Sequence, residues 1–439
     1  MSTSYEVGEL PAIKIGRVAE HQSESGLKIV ALRHTSVPRF HIRLKMPGGK
    51  AWDSHNGNRA RIASSALMTG TKNRSDAELA QELQGLGASL SAGIGLDHLS
   101  LSGSGLSANL KDYLAILAEV LTSPAFSRDE VKVVKEQTKQ GLSIRRSDPS
   151  VIAHDRLVRA IYGSHPYGRT TPSPESVERV RSRDAHEYFK AHARPDHAVL
   201  VIVGDFKPAQ AIRLIEDAMG GWRGRSRGRR PARAPVSDRG TTLLVDRPGA
   251  VQTNIRIAGP AVPRSSPDYF DLVLANTIFG GYFSSRLVER VREERGYSYS
   301  PRSSIEHHRR ASVLKVSADV ATEVTAAALV EIRYELGRIA TAPVSQSELD
   351  AARTYIAGTT ALSIQTQAGI AGYLSTLYSA GLDASYLRSL NKRLAEVTIE
   401  SVSEAAGKYL APPGLTTVMV GDSQQTADAV RAIEPRLKS

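Results

Sequence analysis

Arg292 and Tyr299 are a guanidinium and a phenol, two hydrogen-bond donors that the sequence could bring to one side, and both lie in the stretch FGGYFSSRLVERVREERGYSYS, residues 279–300. Gly280 and Gly281 permit a tight backbone approach, Ser284 or Ser285 suits a helix start, and Leu287, Val288 and Val291 supply an apolar stripe. Gly296 is placed to stop the helix. Tyr297 and Tyr299 follow at strand spacing, which predicts that they share one face while Ser298 and Ser300 take the other. Arg292, in the last helical turn, then converges with Tyr299. The plainer alternatives are a surface pair between Arg292 and Glu289, three residues back, and ordinary packing for Tyr299.

Elsewhere the chemistry is thin. The chain has no cysteine, so thiolate metal sites and disulfides are excluded and His, carboxylates, Ser, Lys or Tyr must carry any reaction. Among twelve histidines, the run HEYFKAH is the most suggestive, but His186 and His192 are six residues apart. Zinc chelation from a helix needs imidazoles one turn apart, whereas these sit about 240° apart around the axis, so the run reads as a solvated helix face. His307 and His308 are adjacent and point apart. No Gly-x-Ser-x-Gly elbow and no phosphate loop ending in Gly-Lys-Ser/Thr is present. The residues alone therefore give no self-sufficient active site.

The elements that must position the pair come in two similar sets. The first ends in HAVLVIVGDF, closing on Val203-Gly204-Asp205, and the second in LTTVMVGDS, closing on Val420-Gly421-Asp422. Ser127 with Glu130 and Ser345 with Glu348 stand at capping-box spacing, at nearly the same offset. In each half strands come first, then helices, then a closing strand. The expected fold is α+β, two homologous halves, each a mostly antiparallel sheet covered by helices. The boundaries expected are 1–222, a basic linker at 223–240, and 241–439.

With 439 residues, 41% hydrophobic and 23% charged, the chain suits a globular protein with more than one core. No apolar run is long enough to span a membrane, and the start lacks the basic-then-apolar pattern of a signal peptide, which favours a cytoplasmic location. Of the net charge of +12, six charges are arginines between Arg223 and Arg233. That run lacks interleaved aromatics, so it reads as a solvated linker rather than a nucleic-acid grip.

Taken together, GLKIVAL, MPGGKAWD, MTGT at 68–71, SDP at 147–149, HPYGR at 165–169, LVIVGDF, RPGAVQTNIRIAG and the 279–300 stretch make the chain resemble the pitrilysin or insulinase-type zinc peptidases, particularly short bacterial members similar to mitochondrial processing peptidase. The likeness runs from about residue 20 to 425. Active members carry a His-x-x-Glu-His helix five residues before the glycine of the MTGT-like turn. Counting back from Gly70 places it on Arg61, Ile62, Ala63, Ser64 and Ser65. The distant glutamate ligand falls near Gly141 or Leu142. Arg61, Ser64 and Ser65 cannot replace two histidines and a water-activating glutamate.

The resemblance implies that this chain binds no zinc, and that Arg292 and Tyr299 act in trans on a peptide held at the zinc of a paralogous subunit, their donors holding a substrate carbonyl. It implies a heterodimer with a zinc-bearing paralogue and a peptide that adds as a strand to a sheet edge, with Ser91 to Leu101 as the first-half candidate. The alternative it leaves is a structural or assembly role, as in the core proteins of the respiratory cytochrome complex.

Overall fold

The computed structural model describes residues 10, 12–227, 231–435, 437 and 438. Arg229 and Arg230 of the basic run, and the first nine residues read for a targeting signal, lie outside the described residues.

Two sheets form. The first has β1 (Val18–Gln22), β2 (Lys28–Arg33), β3 (Arg39–Pro47), β4 (Ser89–Ile94), β5 (His98–Leu106) and β6 (Val199–Gly204), in the order β1-β2-β6-β3-β5-β4. The second has β7 (Thr242–Asp246), β8 (Gln252–Ala261), β9 (Arg302–His307), β10 (Ser312–Ala321) and β11 (Thr416–Gly421), in the order β7-β11-β8-β10-β9. Leaving β1 aside, the two orders correspond strand for strand. The closing strands β6 and β11 each lie between a parallel neighbour, β2 or β7, and an antiparallel one, β3 or β8. All other pairings are antiparallel. The expected α+β pair of homologous halves is what forms.

The landmarks that revealed the repeat have a packing cause. A Cβ on Gly204 would fall 2.5 Å from the Arg39 carbonyl oxygen, and one on Gly421 would fall 2.3 Å from Thr253 Oγ1. Each closing strand thus ends where its neighbour leaves no room for a side chain. Ser127 caps its helix by accepting from the Glu130 N–H, and Ser345 forms a full capping box with Glu348.

Each half also lends a helix to the other's sheet. On one face of the first sheet, Phe40, Ile42, Leu44 and Met46 of β3 pack among that half's own helices. On the opposite face, Val30, Leu32, Val201 and Val203 meet Ile370, Ala371 and Leu374 of the helix Gln367–Ser379. Reciprocally, Leu157, Val158 and Ile161 of the helix Pro149–Tyr162 cover Val418 and Val420 of β11. Strands covered on both faces read as continuous apolar runs, which explains LVIV at 200–203. The SDP landmark starts the lent helix: Asp148 accepts the Ser150 N–H at 2.8 Å and Pro149 takes the first helical position.

The described arginines of the linker's basic run, Arg223, Arg225, Arg227 and Arg233, are exposed. Its described residues are irregular, but the backbone N–H groups of Ser226, Arg227, Ala234 and Ser237 donate to Asp196, Ala191, Arg310 and Ile161. A backbone crossing between packed halves finds carbonyl and carboxylate acceptors there, so the segment is anchored through its backbone while its arginine side chains face solvent. No helix among the described residues is long and apolar enough to cross a membrane.

Candidate functional site

The Arg292 stretch begins with a bend. Residues Thr277–Gly281 form a wide π turn, and a Cβ on Gly280 would stand 2.9 Å from both Leu287 Cδ2 and Ser303 Oγ. The chain re-enters helix as Arg286–Val288 and continues as a second π turn, Glu289–Glu294. Ser285 takes the N-cap position, yet its hydroxyl makes no capping bond. The start is fixed instead by Arg286, whose buried guanidinium donates to both oxygens of Glu348 at 2.5 and 2.8 Å. Burial works to raise the Glu348 pKa, but Arg286 and the Ser345 donors hold it down to about 2. The capping-box glutamate of the helix Gln346–Ser363 therefore also anchors this one. Leu287, Val288 and Val291 are buried, as the stripe predicted.

Gly296 ends the helix at φ +65°, and the Tyr297 N–H closes back onto the Val291 carbonyl at 2.9 Å. Beyond it the predicted strand is absent. Ser298 donates its hydroxyl to the Asp319 carbonyl, and Pro301 has no N–H for a ladder, so β9 begins only at Arg302. Tyr297 is half-buried and Tyr299 is 82% exposed, so the two tyrosines do not share a face.

The convergence of Arg292 and Tyr299 does form, and it includes a residue that spacing alone missed. The Arg292 guanidinium carbon lies 4.8 Å from the ring centre of Tyr299 and 4.8 Å from that of Phe283. Phe283 is 63% exposed and stands two residues after Gly281. Arg292 Nε pairs with Glu293 at 3.1 Å, not with Glu289. Two exposed rings thus hold one guanidinium by cation–π attraction, fixing its position without consuming all its donors.

The degenerate zinc positions lie on the helix Asn58–Ala66. Asp53, wholly buried, fixes its start: Oδ2 accepts the N–H groups of Arg59 and Ala60 at 2.8 and 3.3 Å, and Oδ1 accepts Arg59 Nε at 2.9 Å. Ile62, Ala63 and Ser64 are buried, Ser65 is exposed, and Arg61 lines a cavity of about 340 Å³ between the halves. On the helix Arg128–Ser147, Gly141 is exposed and Leu142 buried, while Arg145, one turn on, lines the same cavity.

Lys50 joins them. Burial, then Arg61 and Arg145, push its pKa down to about 8. A zinc dication needs neutral or anionic donors, and here cations stand in their place, so these residues do not fit zinc. Among the described residues no group of three or more His, Asp or Glu is arranged to hold a metal ion. Arg292 and Tyr299 are not among the residues lining this cavity.

The HEYFKAH run is a solvated face on one side only, where His186, Glu187 and Lys190 are exposed. His192 is buried against Tyr188 and Trp52, with ring centres 4.3 and 5.9 Å away, and burial lowers its pKa to about 4. The helix Ser182–His192 turns that side into the core because Tyr188, whose hydroxyl donates to the Gly48 and Gly49 carbonyls, pulls it onto the MPGG turn. His307 and His308 do diverge: His307 stands 3.0 Å from Ser312 Oγ, while His308 packs at a tilt against Tyr167, ring centres 5.0 Å apart, in the cavity wall. Tyr167 and Arg169 of the HPYGR landmark bind across elements. Tyr167 donates to Asp97 at 2.5 Å, and Arg169 donates to the Lys50 and Asp53 carbonyls.

Comparison with known proteins agrees with this arrangement. Residues 29–175 match the family described as Insulinase (Peptidase family M16), and residues 179–356 match Peptidase M16 inactive domain. The chain is 23% identical over 350 residues to an uncharacterized zinc protease of Mycobacterium leprae, covering 78% of each. It is 21% identical over 415 residues to a non-peptidase homologue of Helicobacter pylori, covering 92% of this chain and 94% of that one. A crystal structure of a peptidase M16 inactive domain from Pseudomonas fluorescens superposes with a TM-score of 0.86 at 24% identity, over 92% of this chain and 98% of that one. Two halves matched in order, around a metal position held by arginine and serine, make this chain a non-catalytic member of peptidase family M16.

Proposed function

We propose that the chain is the non-catalytic subunit of a heterodimeric zinc peptidase of the cytoplasm, lending Arg292 and Tyr299 to a peptide held at the active site of a zinc-bearing paralogue. The observation that carries the reading is the Arg292 clamp: a half-buried guanidinium held between the exposed rings of Phe283 and Tyr299, on a chain whose own zinc positions cannot hold the metal. A guanidinium so fixed donates to a substrate carbonyl with little loss of side-chain freedom, and the Tyr299 hydroxyl supplies a second donor.

For the peptide's path, β4 (Ser89–Ile94) is an outer strand of the first sheet, whereas β5 is interior. The expected Ser91 to Leu101 edge therefore narrows to β4, whose free backbone groups suit strand addition.

Tyr299→Phe separates the two parts of the clamp, since it keeps the ring over Arg292 and removes the hydroxyl. In the complex with the zinc-bearing paralogue it is expected to lower peptide turnover about tenfold, the worth of one hydrogen bond to a charged or polarised group. Zinc content measured by atomic absorption should stay unchanged. Unaltered turnover would reduce Tyr299 to a stacking role.

A further inference from the structure

The cavity beside the helix Asn58–Ala66 is lined by more cations than carboxylates. Lys50, Arg61, Arg145, Arg169 and Lys315 line it, against the carboxylates Asp155 and Glu306. Both carboxylates are engaged. Asp155 accepts the Thr171 N–H at 2.7 Å and its hydroxyl at 3.2 Å, and Glu306 pairs with Lys315 at 2.7 Å and faces His308 at 3.7 Å. Arg169 is spent on the Lys50 and Asp53 carbonyls. Lys50, Arg61 and Arg145 are left with no carboxylate partner among the described residues; burial, then Arg61 and Arg145, lower the Lys50 pKa, and burial, then Arg145, lower that of Arg61.

Two orphaned polar atoms belong to the same walls. Arg61 Nε is buried and without a hydrogen-bond partner, and so is the hydroxyl of Tyr162, a residue only 2% exposed. A buried donor left unmade costs about 1–3 kcal/mol, more when charged, and like charges add to that. Such an arrangement persists where something supplies the missing acceptor. At about 340 Å³ the space is at the small end of ligand pockets, ample for a group of a few heavy atoms.

We propose that this cavity is an oxyanion-binding site, in which Lys50, Arg61 and Arg145 hold a carboxylate or phosphate group and the Tyr162 hydroxyl donates to it. Arg61 stands at the position of the first zinc-ligating histidine, so the site has exchanged a cation for an anion. A guanidinium pair offers forked donors matched to carboxylate and phosphate geometry, and the ammonium of Lys50 adds a point charge. The inference concerns this chain alone and holds whether or not a zinc-bearing partner exists.

The test uses the full-length chain at low ionic strength, titrated by calorimetry with inorganic phosphate and, separately, with two short peptides that differ only by Glu against Gln. Wild-type protein should bind phosphate with one-to-one saturation and gain several degrees in Tm from it, as any ligand selective for the native state confers. The double variant Arg61→Ala, Arg145→Ala should weaken binding at least tenfold and lose the Tm gain, while its near-ultraviolet circular dichroism stays native. Lys50→Gln, a second and milder variant, should weaken binding several-fold.

Preference for the Glu peptide, lost in the double variant, would identify a peptide-borne carboxylate. Phosphate binding with no discrimination between peptides would identify a free ion. Either supports the site. Absence of saturable binding by phosphate and both peptides, or binding unchanged in the folded variants, overturns it.

Discussion

Replacing Arg292 by alanine is expected to cut kcat/KM of the mixed complex about 100-fold, the loss typical of removing one preorganised donor from a developing oxyanion. The effect should exceed that of Tyr299→Phe because the guanidinium is the hub of the clamp, stacked 4.8 Å from both Phe283 and Tyr299. Without it the two exposed rings lose the charge that orders them. Arg292→Lys keeps the charge but not the planar fork, and should recover only part of the rate. Because Arg292 is half-buried and its carboxylate partner Glu293 is largely exposed, stability should change by less than about 1 kcal/mol. Steady-state kinetics with parallel thermal melts check both halves of this expectation. A large fall in Tm accompanying the loss of rate would make the residue structural.

The second large effect is on stability. Leu374, fully buried on the helix that the second half lends to the first sheet, packs with Val30, Leu32, Val201 and Val203. Leu374→Ala should cost about 2–5 kcal/mol through lost burial and the cavity left behind. The distinctive expectation concerns where the loss appears. Because the helix belongs to one half and the sheet to the other, hydrogen exchange should show reduced protection in β2 and β6 as well as in the helix itself. Urea denaturation gives the magnitude, and native-state exchange gives the location. Loss of protection confined to residues 367–379 would contradict the reciprocal packing.

Particular residues show how far the sequence carried. The two-half fold was legible because glycines 204 and 421 are demanded by close approach at equivalent strand ends, and such requirements leave marks at fixed offsets. The misfit of Arg61, Ser64 and Ser65 to zinc ligation follows from the sequence alone, since ligand chemistry is a property of side-chain type. The exchange of helices between halves was not, because an apolar stripe records that a face is buried but not which sheet covers it.

The same limit explains His192, whose burial depends on Tyr188 reaching the Gly48 and Gly49 carbonyls 140 and 139 residues away. Tyr299 failed as a strand residue for a local reason. Alternation of Tyr and Ser predicts pleating, but Pro301 and the Ser298 bond to Asp319 delay the ladder to Arg302. Phe283 was overlooked because its role lies in a contact with Arg292 that follows only from the π turns on either side of Arg286–Val288. The cation cluster at Lys50, Arg61 and Arg145 draws on three separate segments, and topology alone brings them together.

The central claim is that this chain contributes to hydrolysis without performing it. It is tested most directly by measuring cleavage of an unfolded peptide with this chain alone, with its zinc-bearing paralogue alone, and with an equimolar mixture, each before and after chelation. The account predicts no cleavage by this chain, little by the paralogue, and chelator-sensitive cleavage by the mixture. Cleavage by this chain alone, or a mixture no more active than the paralogue, would contradict it.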